Sequence, residues 1–358
     1  MKRTLYTSTI EVPYRVSLLN ELTRACELTV LYEKEKSSSR NSEWEKSRNR
    51  SYSVRYLKGV NYKDEHRISF GVLREIFMKY DAIIVGCYNS PSQMLAILAM
   101  KLFRIPYILN LDGEQFVEDR GIKSKLKIFF LRGAEKYLVA GEKAAHSLSR
   151  VVSNSEIVPY YFSSLTESEL AEHSLLAGSQ RNDIILVVGQ YFDYKGMDIA
   201  LEAARMDPSL CYKFVGMGSR TEKFLKDFQG KIPSNVEIIP FLQKEELEKE
   251  YQTCAMLVLP SRQECWGLVI NEAASFGTPI VSTWGSGAAV EFLADEYPQY
   301  LAKPGDAEDL LRCIELVWIS KQRAKYSQYL LEKSKGYSIE QSVKAHLSAL
   351  GPEGCEFR

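Results

Sequence analysis

The stretch SRQECWGLVINEAASFGTPIV, residues 261–281, is the most informative part of this chain. It carries two glutamates, Glu264 in a glycine-containing loop and Glu272 in the helix that this loop opens. Apolar runs typical of strands lie on either side, at Met256–Leu259 and Pro279–Ser282. Amides at a helix N-terminus attract phosphate, and carboxylates accept hydrogen bonds from vicinal hydroxyls. The stretch therefore predicts a strand–loop–helix–strand unit that binds a ligand with phosphates and sugar hydroxyls.

Strand-like and helix-like segments alternate along most of the chain. The predicted strands are Thr4–Tyr6, Leu28–Tyr32, Ala82–Val85, Tyr107–Leu111, Tyr137–Ala140, Ile184–Val188, Tyr212–Val215, Val236–Ile239, Met256–Leu259 and Pro279–Ser282. The main predicted helices are Val16–Ala25, Val72–Lys79, Met94–Phe103, Met197–Ala204, Glu245–Gln252, Leu268–Phe276 and Ala307–Ile319. Alternating βα units imply an α/β fold of parallel sheets covered by helices on both faces.

The 358 residues are enough for two domains. Two series of βα units flank a polar segment without periodicity, so we expect an N-terminal domain at 1–165, a linker at 166–182 and a second domain at 183–335. The remaining segment, 336–358, is predicted to be a C-terminal helix. Open α/β sheets bind ligands beyond the carboxyl ends of their strands. Two facing domains therefore predict a site in the cleft between them.

Composition excludes several classes of protein. Basic and acidic residues balance at 46 each, which removes the bulk-charge argument for a nucleic-acid partner. The seven cysteines contain no C-x-x-C pair and the four histidines are isolated, so neither a disulfide framework nor a metal site is expected. The N-terminus lacks the apolar region of a signal peptide, and no run reaches the roughly 18 apolar residues of a membrane span. We expect a cytoplasmic protein, peripheral at the inner face of the cell membrane.

Two glycine motifs precede the opening stretch. The first, GQYFDYKG, begins at Gly189 and places Lys195 just before a predicted helix, where an ammonium can meet a diphosphate. The second is V-G-x-G, with Gly216 and Gly218 after another predicted strand. A dinucleotide-binding fingerprint needs a third glycine where this chain has Thr221, so a nicotinamide site is not expected.

Taken in order, these elements read G-x5-K-G, V-G-x-G and P-S-x-x-E-x-x-G-x4-E-A-x3-G-x-P. The last is matched by Pro260, Ser261, Glu264, Gly267, Glu272, Ala273, Gly277 and Pro279. The combination resembles the nucleotide-sugar domain of retaining glycosyltransferases of family 4 over residues 183–310. In the first half only the layout is similar, and PYRVSLLNELTRACELTVLY resembles the opening of capsule and surface-polysaccharide members.

The resemblance implies the GT-B fold, with two Rossmann-like domains whose parallel sheets face a central cleft and a C-terminal helix that crosses back to the first domain. It implies catalytic roles for Lys195, which would neutralise the leaving diphosphate, and Glu264, which would contact the donor sugar. Glu272 would hold the ribose hydroxyls. The full set of implied donor-binding residues is Gly189, Gln190, Gly216, Gly218, Phe241, Leu242, Trp266, Gly267, Leu268, Val269 and Glu272. No metal or cofactor is expected.

Two positions depart from the family pattern. Gln190 stands where an arginine usually gives the diphosphate a second cation. Another arginine substitutes for it, or the amide donates neutral hydrogen bonds, or activity is weak. The glycine pair that normally follows the first strand is also missing, because residues 8–13 read STIEVP.

The N-terminal half is expected to bind the acceptor. Asp112 and Glu114 follow the predicted strand Tyr107–Leu111, and with Arg15 they are candidates for orienting the acceptor or donor sugar; a turn or capping role is the alternative. Further on, Ile122–Arg132 interleaves basic and apolar residues and is a candidate contact with an anionic membrane surface.

Alternatives stay open for several of these segments. Core packing of Phe129 and Phe130 is the alternative to membrane contact, and Met94–Phe103 is expected to be a core helix. The basic stretch Lys34–Arg50 is expected to be a solvated loop.

These features predict a retaining, metal-independent glycosyltransferase that moves a hexose from a nucleoside diphosphate sugar to a lipid-linked glycan acceptor in surface polysaccharide biosynthesis. Two other functions suit the same donor site. One is a GT-B epimerase acting on nucleotide-sugars, although its acid and base residues are not apparent. The other is a non-catalytic module that binds nucleotide-sugars. The sequence leaves the donor sugar, its base and the acceptor undetermined.

Overall fold

The computed structural model describes residues 1–35, 49–62, 66–113, 121–152, 155–178 and 180–351. The chain forms two compact units. The first comprises Met1–Tyr161 together with the segment that begins at Ile339, and the second comprises Phe162–Ser338. Each has its own parallel sheet flanked by helices.

The first unit is built on a seven-stranded parallel sheet of order β3-β2-β1-β6-β7-β8-β9, beside an antiparallel pair β4-β5. Its strands are β1 Lys2–Ser8, β2 Cys26–Tyr32, β3 Ser53–Tyr56, β4 Val60–Tyr62, β5 His66–Ile68, β6 Ala82–Val85, β7 Ile108–Leu111, β8 Lys136–Ala140 and β9 Glu156–Tyr160. Its helices are α1 Pro13–Leu22, α2 Gly71–Ile76, α3 Pro91–Phe103, α4 Ile122–Leu131, α5 Glu142–Ser149 and, from the end of the chain, α14 Ile339–Leu350.

The second unit is built on a six-stranded parallel sheet of order β12-β11-β10-β13-β14-β15. Its strands are β10 Ile184–Val188, β11 Cys211–Val215, β12 Val236–Ile239, β13 Met256–Leu259, β14 Ile280–Thr283 and β15 Leu301–Ala302. Its helices are α6 Glu167–Leu176, α7 Met197–Met206, α8 Thr221–Asp227, α9 Lys244–Thr253, α10 Leu268–Ser275, α11 Gly287–Leu293, α12 Ala307–Trp318 and α13 Arg323–Ser334.

The central strands β13 and β14 are buried along their whole length because helices cover both sheet faces. Every residue of β13 is buried, and so is every residue of β14. The prediction of parallel sheets from alternating βα units is confirmed by the strand pairing. Each predicted strand overlaps an observed one.

Five observed strands have no counterpart in the sequence prediction: β3, β4, β5, β9 and β15. Strands β3, β9 and β15 lie at the edges of the two parallel sheets, where side chains are less apolar and the backbone tolerates interruptions. Strand β9 contains Pro159, which has no N–H to donate to a neighbouring strand. An edge strand tolerates proline because one of its sides has no neighbouring strand. Strand β15 has only two residues, too few to produce a periodic signal.

The segment expected as a linker is structured. Helix α6 begins after Thr166, whose hydroxyl accepts a hydrogen bond from the Glu169 amide while the Glu169 carboxylate accepts from the Thr166 amide. This capping box satisfies two amides that a helix start leaves without partners. The observed division of the chain falls after Tyr161, so residues 166–178 lie in the second unit. Of the expected loop Lys34–Arg50, residues 36–48 lie outside the described residues.

Candidate functional site

Most of the predicted donor-binding residues lie in loops at the carboxyl ends of neighbouring strands in the second unit. These loops are joined by backbone hydrogen bonds. The Gly189 amide donates to the Val215 carbonyl at 2.9 Å, and the Gly218 amide donates to the Pro240 carbonyl at 2.7 Å. Phe241 and Leu242, both partly exposed, follow Pro240 and precede α9. The fold therefore brings residues 189–196, 216–218 and 241–242 to one edge of the sheet.

The loop that carries Lys195 is bound closely to the loop that carries Glu264. Gly196 has φ of +68°, and a Cβ atom there would lie 2.0 Å from the Pro260 carbonyl oxygen. Only glycine fits this approach, because the obstacle is backbone. The Tyr194 carbonyl accepts hydrogen bonds from the amides of Arg262 and Gln263, at 2.8 and 3.2 Å.

Arg262 adds a side-chain clamp between the same two loops. Its guanidinium donates to both carboxylate oxygens of Asp198, at 2.8 and 2.5 Å, and to the Asp193 carbonyl at 2.7 Å. Bidentate arginine–carboxylate pairs fix geometry as well as charge. This clamp holds the turn 193–195, and with it Lys195, against the loop that follows β13.

Lys195 and Glu264, the two predicted catalytic residues, form an ion pair through Nζ and Oε2. Their side chains are 21% and 15% exposed, so both keep access to solvent. The backbone of Glu264 is fixed on both sides, because its amide donates to the Gly285 carbonyl and its carbonyl accepts from the Gly287 amide. An anion that attracts the Lys195 ammonium would release the Glu264 carboxylate for another partner.

Helix α10 starts beside this ion pair. Gly267 has φ of +106°, and a Cβ there would lie 2.9 Å from Leu259 Cδ2 and 3.4 Å from Glu264 Cγ. This left-handed residue lets the chain turn into the helix, whose first amides, including Leu268 and Val269, lack intrahelical acceptors. The helix dipole and these amides favour an anion at this end.

Glu272, one turn further along α10, is held by two hydroxyl groups. Ser164 donates to Oε1 at 2.8 Å, and Tyr251 donates to Oε2 at 2.9 Å. Burial raises the pKa of the Glu272 carboxyl, and the two hydrogen bonds act in the opposite direction. Sequence reasoning missed both hydroxyls. Ser164 lies next to the segment expected as a linker, and Tyr251 lies on a different helix, so neither is near Glu272 in sequence.

The side chain of Trp266, predicted to bind the donor, packs inside the second unit. It is 3% exposed, and its indole N–H donates to Asn271 Oδ1 at 2.9 Å. Its ring lies beside Phe162 and Tyr337. The carbonyl of Trp266 also accepts hydrogen bonds from the Ser286 hydroxyl and the Ala288 amide. Trp266 therefore stabilises the loop from the interior of the second unit.

Gln190 is partly buried at the start of the Lys195 loop. An arginine from the neighbouring loop approaches the same segment: the Arg220 guanidinium carbon lies 3.8 Å from the centre of the Phe192 ring. Phe192 in turn stacks on Tyr194, with ring centres 5.3 Å apart. This loop therefore has two cationic side chains near it, Lys195 and Arg220. The spacing of the sequence motifs did not predict the contact of Arg220.

In the first unit, Arg15 and Asp112 come together. The Arg15 guanidinium donates to both Asp112 oxygens at 2.6 Å, and the Tyr160 hydroxyl donates to Asp112 Oδ1 at 2.7 Å. The Arg15 side chain is 5% exposed, whereas that of Asp112 is 33% exposed. Asp112 is therefore anchored from inside and open on its other side. Glu114 lies outside the described residues.

A second layer of polar groups lies under this pair. Asn110 Oδ1 accepts from the Tyr6 hydroxyl at 2.7 Å and from Arg15 at 3.3 Å, and lies 3.3 Å from His346 Nε2. The His346 Nδ1 lies 2.7 Å from the carbonyl oxygen of Ser342. Burial lowers the pKa of His346 to about 4, so the ring is neutral at pH 7. No motif marked His346, which reaches this cluster only because α14 packs on the first unit.

Helix α4, within the candidate membrane segment Ile122–Arg132, is amphipathic. Phe130 and Leu131 are buried, whereas Leu126 and Phe129 are 52% and 49% exposed. Within the described part of the chain, no helix is both long and apolar enough to cross a bilayer. The described residues also include no group of three or more His, Cys, Asp or Glu side chains arranged to hold a metal ion.

Comparison with known proteins identifies the class of enzyme. Residues 175–333 match the family model described as glycosyl transferases group 1. An uncharacterized glycosyltransferase of Methanocaldococcus jannaschii is 24% identical over 264 residues, which cover 73% of this chain and 72% of that protein.

Two solved structures show the same fold. The Anabaena protein HepE, crystallised with UDP and glucose, superposes with a TM-score of 0.71 at 14% identity, over 98% of this chain and 99% of that one. WaaG, a glycosyltransferase involved in lipopolysaccharide biosynthesis, superposes with a TM-score of 0.66 at 13% identity, over 97% and 99% of the two chains. The predicted GT-B fold is confirmed. The chain is therefore a glycosyltransferase with the GT-B fold, and its residues 175–333 carry the glycosyl transferases group 1 match.

Proposed function

We propose that this glycosyltransferase is retaining and metal-independent, and that it moves a hexose from a nucleoside diphosphate sugar to a lipid-linked glycan acceptor in surface polysaccharide biosynthesis. The observation that carries the donor assignment is the Lys195–Glu264 ion pair beside the start of α10, with Glu272 on the same helix. The complex of HepE with UDP and glucose supports the donor class, and the role of WaaG in lipopolysaccharide biosynthesis supports the setting.

The leaving diphosphate would bind Lys195 and the first amides of α10. Each positioned donor that meets developing charge contributes about 3 kcal/mol to lowering the barrier. Lys195 is paired with Glu264, and the diphosphate would draw the ammonium toward itself. Glu264 would then accept hydrogen bonds from the hydroxyls of the donor sugar. Retention is explained by attack on the face that the diphosphate leaves, with a phosphate oxygen accepting the acceptor proton.

Glu272 would hold the ribose of the donor. Ser164 and Tyr251 each occupy one lone pair of its carboxylate, so each oxygen retains capacity for a ribose hydroxyl. Held from two sides, the carboxylate loses little rotational freedom on binding. Phe241 and Leu242 would meet the base through their backbone.

The first unit would bind the acceptor, with Asp112 oriented by Arg15 and Tyr160. Its α4 segment would contact the anionic inner face of the cell membrane, where a lipid-linked acceptor resides. The protein would therefore work in the cytoplasm at that surface, without nucleic acid and without a cofactor.

The test begins with a panel of nucleoside diphosphates and their sugars, scored by thermal shift. We expect nucleotides with one particular base to raise the melting temperature more than nucleotides with other bases. Glu272→Ala should weaken binding of that nucleotide by about 1–3 kcal/mol in calorimetry, because its hydrogen bonds are lost. Glu222→Ala, an exposed carboxylate on α8, is the matched control and should leave the affinity unchanged. Equal affinity for wild type and Glu272→Ala would remove the ribose assignment.

Product analysis with acceptor in the presence of a chelator separates the remaining possibilities. Retention of the anomeric configuration without added metal is the expected outcome. Conversion of the donor sugar in the absence of acceptor would indicate an epimerase. Nucleotide binding with neither transfer nor hydrolysis would indicate a binding module, which Gln190 in place of a cation would explain.

A further inference from the structure

Helices α3 and α4, with the residue that follows α2, expose large apolar side chains on one side of the first unit. We call this surface the α3 face and define it by Phe77, Leu98, Leu102, Phe103, Leu126 and Phe129. The fractional exposures of these side chains run from 42% at Leu98 to 76% at Leu102. Apolar residues scattered singly on a surface are ordinary, but contiguous ones mark an interaction site.

Two side-chain contacts link parts of the α3 face. The rings of Phe77 and Phe103 meet edge to face, with centres 5.0 Å apart. On the other side, Lys101 Nζ lies 4.2 Å from the centre of the Phe129 ring and donates to the Phe129 carbonyl. These contacts join α2, α3 and α4 into a continuous surface.

Helix α3 packs in the core, as expected for Met94–Phe103, and it is also apolar on its outer side. Ala96, Ile97 and Met100 are buried against the sheet. Leu98 and Leu102, four residues apart, lie together on the opposite side. A helix that serves only as a core element presents polar residues to water on its outer side. The outer side of α3 therefore has a use besides packing.

The charged residues of α3 and α4 are all basic. Neither α3 nor α4 contains Asp or Glu, and no acidic residue occurs between Asp81 and Asp112. Their basic side chains include the exposed Lys125 and the partly exposed Lys101 and Lys127, and the exposed Arg104 follows α3. A second copy of this chain would bring like charges together. An anionic lipid surface complements both the charge and the apolar side chains.

We infer that the α3 face docks on an anionic lipid bilayer, with α3 as its apolar centre and α4 as one flank. The proposed function assigns membrane contact to α4 alone, and this inference extends it. Phe103, Leu102 and Phe77 insert among the acyl chains near the headgroups, while Lys101, Arg104 and Lys125 meet lipid phosphates.

Vesicle co-sedimentation of the full chain tests the inference. The probes are vesicles of phosphatidylcholine alone and vesicles containing about one third phosphatidylglycerol. Wild-type protein should bind the anionic vesicles in preference to the neutral ones. Leu102→Glu combined with Phe103→Glu should reduce that binding at least about tenfold, and Lys125→Ala about fivefold. Leu175→Glu and Ile319→Glu, at 88% and 74% exposed positions of the second unit, are matched controls and should bind like wild type.

Thermal shift with the nucleoside diphosphate, measured on each variant, separates this inference from the donor assignment. The Leu102/Phe103 variant should keep full nucleotide stabilisation, which also shows that it is folded. If wild type binds neither vesicle, or if the Leu102/Phe103 variant binds as wild type does, the α3 face is not the docking surface. A wild-type dimer that dissociates in this variant without vesicle binding would show that a second copy covers the face, and it too would overturn the inference.

Discussion

The polar cluster of the first unit and the donor site of the second differ in how their charges are satisfied. Arg15 is buried and donates from Nη2 to both carboxylate oxygens of Asp112, and hydroxyl, amide and imidazole groups lie around this pair. Lys195 and Glu264 form a single contact and keep access to solvent. The first arrangement resists exchange because the buried Arg15 is held by several partners at once. The second can exchange partners when an anion arrives, which is what a leaving diphosphate requires.

The comparison predicts that substitutions in the donor site affect activity and that substitutions in the buried cluster affect stability. Lys195→Ala should give the largest effect, a loss of about 10²–10³ in kcat, because one donor to the developing diphosphate charge is removed. Steady-state kinetics with saturating donor measures it. Lys226→Ala, an exposed lysine on α8, serves as the control. An unaltered rate for Lys195→Ala would refute the leaving-group role. A large loss of thermal stability in this variant would contradict the prediction that donor-site substitutions affect activity and not stability.

Arg15→Leu should instead lower the free energy of unfolding by about 2–3 kcal/mol, because Asp112 and Asn110 lose their shared donor in a buried setting. Partial exposure of Asp112 keeps the value at the lower end. Arg24→Leu removes a cation of the same type from an exposed pair with Glu21 and should change stability by less than about 0.5 kcal/mol. Urea unfolding followed by circular dichroism gives both values. Equal changes in the free energy of unfolding for the two substitutions would show that the burial of Arg15 does not increase its contribution to stability.

His346 should make the protein less stable in acid. The folded pKa is about 4, below the unfolded value of 6.5, so the unfolded chain binds the additional proton as pH falls. The contribution is constant above about pH 6.5 and is lost between there and pH 4, and its size is about 3 kcal/mol. The free energy of unfolding, measured from pH 6.5 to pH 4, should fall more steeply with decreasing pH for the wild type than for His346→Asn. Parallel curves would mean that the pKa of His346 is the same in the folded and unfolded states.

Gln190→Arg should have the smallest effect and should strengthen the donor site. A second cation beside Lys195 would raise affinity for the nucleoside diphosphate by a factor of about two to five, equal to roughly 0.5–1 kcal/mol for a partly exposed charge. Calorimetry at low and moderate salt measures it, and Gln263→Arg in the adjacent loop controls for added charge alone. If Arg220 already supplies this charge, the gain will appear only when Arg220 is replaced by Gln.

The difference between the two regions also explains what the sequence predicted. The donor-site residues Lys195, Glu264 and Glu272 stand in short motifs after individual strands, and parallel strands bring such loops to one edge. Their order along the chain therefore indicated their proximity. Ser164 and Tyr251, which hold Glu272, come from separate segments without a motif, so only the folded chain reveals them.

In the first unit the limits were greater. Arg15 and Asp112 were expected on the acceptor side, but nothing in their spacing predicted that they pair. His346 joins Asn110 from 236 positions away in the sequence, a distance over which periodicity carries no information. Helix α3 packs in the core as the sequence predicted, but its exposed apolar side was not foreseen. Apolar composition predicts that a helix is buried and does not indicate whether one side or both sides are covered.

The position of α14 has a consequence for how the protein is made. This helix contacts α1, β8 and β9, and Lys2 Nζ donates to the Leu350 carbonyl across 348 positions of sequence. The first unit therefore lacks an essential element throughout translation of the second. At about 5–20 residues per second, the second unit is synthesised completely roughly one to two seconds before α14 is finished. On the ribosome, the part of the chain that is made first is the part that matures last.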